Sequence, residues 1–599
     1  MTDIREFADP RKEHGSSEGT EAAGVIQSPR PKASDRAVRL ALASGIELWH
    51  DPDLIGYVSL AKAGHRENHP IKSKAARLWL GALFYETERR GLGHQDCADA
   101  LGLLEAKAIH EGPEHPIAVR VAHLGGCVLL DLGRPEWEAV EVTPNGWTVR
   151  PASELPVRFK RPAGLLALPL PKPGGDLLKL VEVLNTDEEG IRLALAWLLF
   201  AMGGPGPYPI LALAGEQGTG KSTAARVLRE IVDPNSVGLR TTPKEERDLA
   251  IAAQNAHILG FDNFSSIPDW LSDALCRLAT GAGFATRALY TDSEETLFSA
   301  KRPIVLNGIP DLMTRGDLAD RALAVTLERI REEDRKPESE VWALVESVKP
   351  DILGGLLDAV VVALRNLPGL RLPTLPRMAD FARFIVAAEP ALPWKPGEFL
   401  STYQAAREDG ARILLEGDAI AALVVDITKR GQERTNTWTG TASDLMKSLE
   451  EVRGDGMRSS GWPKSARGLS SHLRRIAPAL RQTGLEVEHG KGGGKLNART
   501  ITLRLTHPKD GNRPSEPSEG SKSLTAQADF VRTQNSTDRP NDKSNRPIRT
   551  QSEPFGRNPD PTVRQQIPCA ISHPGNSDAT DANFPSLGGV SGDAFEVDL

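Results

Sequence analysis

Gly215-Glu216-Gln217-Gly218-Thr219-Gly220-Lys221-Ser222-Thr223 is the stretch on which the reading of this chain turns. It follows directly on the apolar run Pro209-Ile-Leu-Ala-Leu-Ala214 and opens a helical pattern that runs from Thr223 to Val232. A buried strand, a glycine loop of the form G-x4-G-K-S and a helix, in that order, make a phosphate-binding loop. The chemistry explains the residue types. Glycines let successive backbone N–H groups curl around a phosphate, and the helix N-terminus adds partial positive charge. Lys221 is expected to reach the β- and γ-phosphates of ATP, and Ser222 to offer its hydroxyl to Mg2+.

Such a site needs a carboxylate for the metal at the end of a neighbouring strand. The apolar segment Ala256-His-Ile-Leu-Gly-Phe ends in Asp262, about forty residues downstream of the loop, and Asp262 is the candidate. Many ATPases of this kind place a glutamate next, as the base that activates water, whereas this chain has Asn263. An amide takes no proton but can aim a water, so slow turnover and a glutamate supplied from elsewhere are both open. A third apolar run, Lys301-Arg-Pro-Ile-Val-Leu, ends in Asn307, placed to sense the γ-phosphate or simply to open a turn with Gly308. Beyond it, Arg315 and Arg321 suit the neutralisation of transition-state charge. Their plainer reading is exposed ion pairing with Asp317 or Asp320.

Between Tyr208 and about Glu328 short apolar runs alternate with helical stretches, which predicts an α/β, largely parallel three-layer sheet. The 599 residues exceed what one core can fill, so several domains are expected. Residues 1–35 read as a flexible polar arm, 36–175 as an α+β domain, and 176–335 as the ATPase core with two preceding amphipathic helices. Residues 336–400 read as a helical lid, 401–505 as a basic winged-helix-like domain, and 506–599 as a Pro- and Ser-rich disordered tail.

Composition narrows the classes. A net charge of −7 with 26% charged residues argues against a wholly basic nucleic-acid protein, so any DNA contact is expected to be local. No charge-free apolar run reaches the roughly 18 to 20 residues that span a bilayer, and the start MTDIREFADPRKEHG lacks the apolar centre of a signal peptide, so a cytoplasmic protein is expected. Cys97, Cys127, Cys276 and Cys569 are too scattered for a disulfide framework or a metal knuckle. His65 with His69, and His94 with Cys97, have ligand-like spacing but no second pair, and Asp51-Pro-Asp53 reads as a turn rather than a metal pair.

The local positive charge lies near the C-terminal end. From Thr441 to Leu505 twelve Lys or Arg face six Asp or Glu. Lys464, Arg467, Arg474, Arg475 and Arg481 recur at helical spacing around Trp462, and Lys491 and Lys495 punctuate a glycine run that precedes a strand. A phosphate-clamping helix with a wing is the functional reading; a solvated helix with a flexible loop is the plain one.

With GEQGTGKST, HILGFDN, KRPIVLNG and DLADRALAVTL in this order, the chain resembles superfamily-3 helicases, in particular the poxvirus and phage primase-helicase group and related ATPases of bacterial mobile elements. The resemblance implies an AAA+-type core, a homo-hexameric ring with ATP between subunits, and single-stranded or forked DNA in the pore. It assigns phosphate and Mg2+ to Lys221 and Ser222, metal to Asp262, sensing to Asn307, and a trans-acting arginine finger to Arg321, with Arg315 in reserve. Arg287 matches the entry to the family's pore hairpin, although the following Tyr290–Thr296 is acidic where that family is basic. The expected function is an ATP-hydrolysing, helicase-like DNA motor of phage or mobile-element replication, without a primase module. The alternative is a nucleotide-gated loader that recruits a replication partner.

Overall fold

The computed structural model describes residues 31–505 apart from position 63 and segments 265–266, 282–283, 288–294, 299, 309–315, 417, 431–436, 454–461 and 492–498. The expected arm up to residue 30 and the tail from 506 lie outside the described residues. What is described is a mixed α/β structure with several sheets.

The chain opens with α1 (Ala33–Ala43), β1 (Glu47–His50), β2 (Gly56–Lys62), β3 (His65–Pro70), α2 (Lys74–Glu88) and α3 (His94–His110). The strands form an antiparallel sheet, and Val58 and Leu60 pack beneath Leu80, Phe84, Leu101 and Leu104 from the helices. Between His65 and His69 on β3, Glu67 accepts from both rings at 3.4 and 3.0 Å. Asp51 closes a turn by accepting from the N–H groups of Asp53 and Ile55.

The next strands are β4 (Ile117–Ala118), β5 (Val121–Leu124), β6 (Cys127–Asp131), β7 (Glu138–Thr143), β8 (Gly146–Pro151) and β9 (Arg158–Phe159). β5 to β8 make an antiparallel meander, with Pro144-Asn145 turning β7 into β8. Residues 33–110 have a core of their own, and one face of the meander packs Leu129 and Ala139 with Ala152, Leu155, Val157 and Phe159. Val128, Leu130, Val140 and Val142 project from the other face, as strand alternation requires, and share a core with the helices that follow.

That core is organised by α4 (Glu188–Gly203), β10 (Ile210–Ala214), α5 (Lys221–Val232), α6 (Glu246–Asn255), β11 (Leu259–Phe264) and α7 (Asp269–Thr280). It continues with β12 (Phe284–Arg287), β13 (Glu295–Phe298), β14 (Ile304–Gly308), α8 (Gly316–Ala319), β15 (Ala322–Thr326) and α9 (Glu338–Asn366). The central sheet is parallel throughout, in the order β11-β14-β10-β15. Leu211, Leu213, Val305 and Val325 face α4, α5 and α9, while Ile210, Ala212, Phe261 and Leu306 face α6 and α7. β12 and β13 pair as a separate hairpin, with Arg287 opposite Glu295.

Two helical expectations are corrected. Of the two amphipathic helices expected at 177–202, the first is a short 3-10 turn (Leu177–Glu182) and the second, α4, is buried on all sides from Gly190 to Gly203. α9, expected in a lid, instead lies within the main core, with Ile352, Leu356 and Val360 against the meander and α4. Its apolar run is too continuous for a helix with one wet face. α10 (Ala379–Ala388) and α11 (Glu398–Glu416) continue this packing.

The last elements are α12 (Ala419–Arg430), β16 (Thr437–Thr441), α13 (Ala442–Arg453), α14 (Ala466–Gln482), β17 (Leu485–Lys491) and β18 (Arg499–Leu505). Their antiparallel sheet, ordered β16-β18-β17, encloses a core of Val424, Leu445, Leu469, Leu473 and Leu503, with Trp438 and Trp462 packed at its edge. Among the described residues no helix is long and apolar enough to cross a membrane.

Two predictions follow from this packing. A Cβ at Gly354 of α9 would stand 1.7 Å from the Lys172 carbonyl oxygen, whereas one at Gly369 would meet nothing within 4 Å. Gly354→Ala is expected to cost about 3 kcal/mol in urea unfolding and Gly369→Ala less than about 1. His123 and His257 are pushed down by burial to about 4 from an ordinary 6.5. Kept neutral in the fold, they bind fewer protons than the unfolded chain in that window, so their contribution is complete above about 6.5 and is lost as pH falls towards about 4. The thermal midpoint should decline below pH ~6.5, and less steeply in His257→Asn.

Candidate functional site

β10 ends at Ala214 in the middle of the parallel sheet, and the chain turns through residues 215–220 before α5 begins at Lys221. Gly218 and Gly220 hold φ values of 87° and 80°, a left-handed backbone that costs glycine little. Thr219 is buried, its hydroxyl donating to the Glu216 carbonyl at 3.0 Å, while Glu216, Gln217 and Gly218 are exposed. The Lys221 ammonium folds back over the loop and donates to the carbonyls of Gly215 at 2.8 Å and Glu216 at 2.7 Å. Thr223 follows in the first turn of α5.

Three side chains meet beside the loop. Ser222 Oγ donates to Asp262 Oδ1 at 2.9 Å, and Asn307 Nδ2 donates to Ser222 Oγ at 3.2 Å. Asn307 Oδ1 in turn accepts from the Asn263 backbone N–H at 2.8 Å. The cause lies in the sheet: β11 and β14 are neighbours, so Asp262 and Asn307 emerge at the same edge as the loop after β10. Asn263 takes φ 58°, breaks the register of β11 and exposes its side chain. Asn307 is only 2% exposed, so it fastens Ser222 to the β11 bend.

The arginines divide. Arg315 lies outside the described residues. Arg321 precedes β15, whose first residue pairs with the first of β10. It therefore stands at the opposite end of the sheet from the loop, roughly 16 Å of strand away, and its guanidinium donates to the Asp317 carbonyl at 2.7 Å. It cannot serve the loop of its own chain.

Arg335, which the sequence reading passed over, can. Its Nη2 stands 3.7 Å from where a Cβ on Gly218 would be, so an exposed guanidinium hangs over the loop. In the charged run Glu328-Arg-Ile-Arg-Glu-Glu-Asp-Arg335 nothing marks one arginine from the others.

Asp233, also missed, supports both halves of the site. It ends α5 and accepts from the N–H groups of His257 and Ile258 at 2.8 and 2.9 Å, just before β11. It also pairs with the fully buried Arg120 at 3.1 Å. Burial alone would push this carboxyl up, but Arg120 and Arg229 outweigh it and hold it below the ordinary carboxylate range.

The basic candidates lie on α14 and its flanks. Lys464, Arg467, Arg474, Arg475 and Arg481 are exposed, opposite the buried Leu469, Leu473, Ile476 and Leu480. Arg467, Arg474 and Arg481 repeat at seven-residue intervals and form one row along the helix. Arg475 donates to His472 Nδ1 at 2.8 Å. Lys491 closes β17 opposite Arg499, and Lys495 lies outside the described residues, as does most of the acidic segment after Arg287.

Comparison with known proteins adds a family. Residues 175–411 match the model of the actinomycete integrative conjugative element replication protein, and residues 419–521 match that of the AICE RepA C-terminal domain. The chain is a replication protein of a mobile element. In particular, it is similar along those two stretches to the RepA proteins of actinomycete integrative conjugative elements. No curated protein matches it. Two apo structures of the NrS-1 C-terminal region align at 13% and 14% identity, over 79% of this chain in both cases and 98% and 99% of theirs, with TM-scores of 0.35 and 0.34. Likeness at that level carries no argument.

Asp233→Asn would leave Arg120 buried without its counter-charge. The expected cost is roughly 3–5 kcal/mol in urea unfolding.

Proposed function

We propose that this replication protein binds Mg·ATP at Gly215–Thr223 and hydrolyses it as a helicase-like DNA motor. The observation that carries the reading is the convergence of Ser222, Asp262 and Asn307 within 2.9 and 3.2 Å, beside the lysine-capped loop. The donor set suits the group: backbone N–H groups and an ammonium for phosphate, a hydroxyl and a carboxylate for a hard divalent cation. When bound, Mg·ATP supplies the phosphoryl group and the metal charge that offsets it. The chain supplies position and counter-charge.

Lys221 already sits at the loop, held by weak carbonyl partners that phosphate oxygens would replace. Ser222 and Asp262 would hold the metal, with Asn307 fixing the hydroxyl between them. Arg335 is placed to meet phosphate charge in cis, and Arg321, at the far end of the sheet, suits only a neighbouring subunit's nucleotide. The exposed Asn263 side chain would aim a water without taking its proton, so turnover should be slow. The order of α12 to β18, helix, strand, two helices and two strands, is that of a winged helix, and the row on α14 would meet DNA phosphates.

Asn263 also keeps the second reading in view, a nucleotide-gated loader that binds ATP and hydrolyses it too slowly to drive unwinding. ATP turnover with and without single-stranded DNA decides between them. A motor should be stimulated several-fold and separate a forked duplex; a loader should show neither. Lys221→Ala and Asp262→Asn should each lower turnover about 100-fold or more, and unchanged rates in both would sink the assignment.

A further inference from the structure

On the side of the central sheet away from the glycine loop, the segments that lead into β10, β11 and β14 face β4, β5 and β9 across a cavity of about 510 Å³. Its wall carries Lys160, Lys301 and Arg302, with His123 and His257 between them. Three cations around one half-open cavity repel one another and each gives up part of its water, so the group favours an added anion.

The partners these groups already have show what is missing. Arg302 Nε donates to the Ala253 carbonyl at 2.9 Å and Nη1 to the Lys301 carbonyl at 3.0 Å, so its guanidinium is fixed by neutral groups alone. Among the described residues the Lys160 ammonium has no hydrogen bond and feels Asp51 and Asp53 only through their charge, and His123 Nε2 is buried without a partner. Asp51 and Asp53 also line the cavity. Asp51 also accepts from Asp53 N and Ile55 N, and both carboxylates attract the Lys160 ammonium, so the three cations exceed the two carboxylates by one charge.

We infer that this cavity is a phosphate-binding site, separate from the glycine loop, that takes a phosphate group of a nucleic-acid strand or a free polyphosphate. Lys160 and Lys301 supply the charge, and Arg302 a planar, pre-positioned donor. Burial first, and then the adjacent Arg302, hold the Lys160 ammonium below the ordinary lysine range, against the attraction of Asp51 and Asp53.

The strand source goes beyond ATP binding and requires no hydrolysis, so the test is made on the full chain without nucleotide. Labelled (dT)20 and inorganic pyrophosphate are titrated separately into Lys221→Ala, which removes the glycine loop's lysine, and into the same background with Lys160→Gln or Lys301→Gln. Thermal midpoints within a degree or two certify folding, and Lys160→Arg should restore binding. For a strand phosphate, each Gln variant weakens (dT)20 about five- to tenfold and lowers the slope of log affinity against log salt by about 0.7. For a free polyphosphate, the same variants weaken pyrophosphate and leave (dT)20 unchanged. If neither ligand responds to either variant, the cavity is no phosphate site. Failure of ATP turnover alone would leave this inference standing, because the whole comparison is made without the loop lysine.

Discussion

One buried carboxylate holds the glycine-loop helix α5, the strand β11 and the antiparallel meander in a fixed relation. Asp233 ends α5, receives the two N–H groups that lead into β11, and pairs with Arg120, which stands just before β5. Arg120 extends the clamp to the carbonyls of Asp131, Leu166 and Pro234. A charge pair this deep contributes little as attraction alone, since desolvation offsets most of the gain. Its effect is geometric: Asp233 keeps its bonds to Arg120, His257 N and Ile258 N only while α5 and β11 stand as they do, which brings Ser222 to Asp262.

From that constraint the site follows. The parallel order β11-β14-β10 sends the acid, the amide and the glycine loop to one edge, and the bend at Asn263 lets its N–H reach Asn307. Sequence order reveals such an edge because in a parallel α/β sheet every strand delivers its C-terminal residue to the same side. That is why Lys221, Ser222, Asp262 and Asn307 could be picked out in one dimension. The apolar run Ile210-Leu-Ala-Leu213 was legible as a buried strand because both of its faces are covered.

What stayed hidden depends on contacts between distant segments. Arg120 and Asp233 are far apart in the chain, and no local pattern marks either as buried. Arg335 sits in a run of alternating charge that reads as solvated loop. The burial of α9 was obscured because a helix that is apolar all round looks alike whether it covers a core or forms its centre. That the meander's two faces join two different cores was not legible either, because strand alternation shows that a face is buried, not what buries it. The separation of two positive regions, one along α14 and one lining the cavity below the sheet, likewise appears only in three dimensions.

Magnesium-dependent ATP binding, measured by titration calorimetry on the full chain, tests the central claim most directly. The account predicts one site per chain that needs the metal, weakens at least tenfold in Asp262→Asn, and vanishes in Lys221→Ala. Binding that is indifferent to magnesium and equal in all three proteins, or no binding to the native chain, would contradict it.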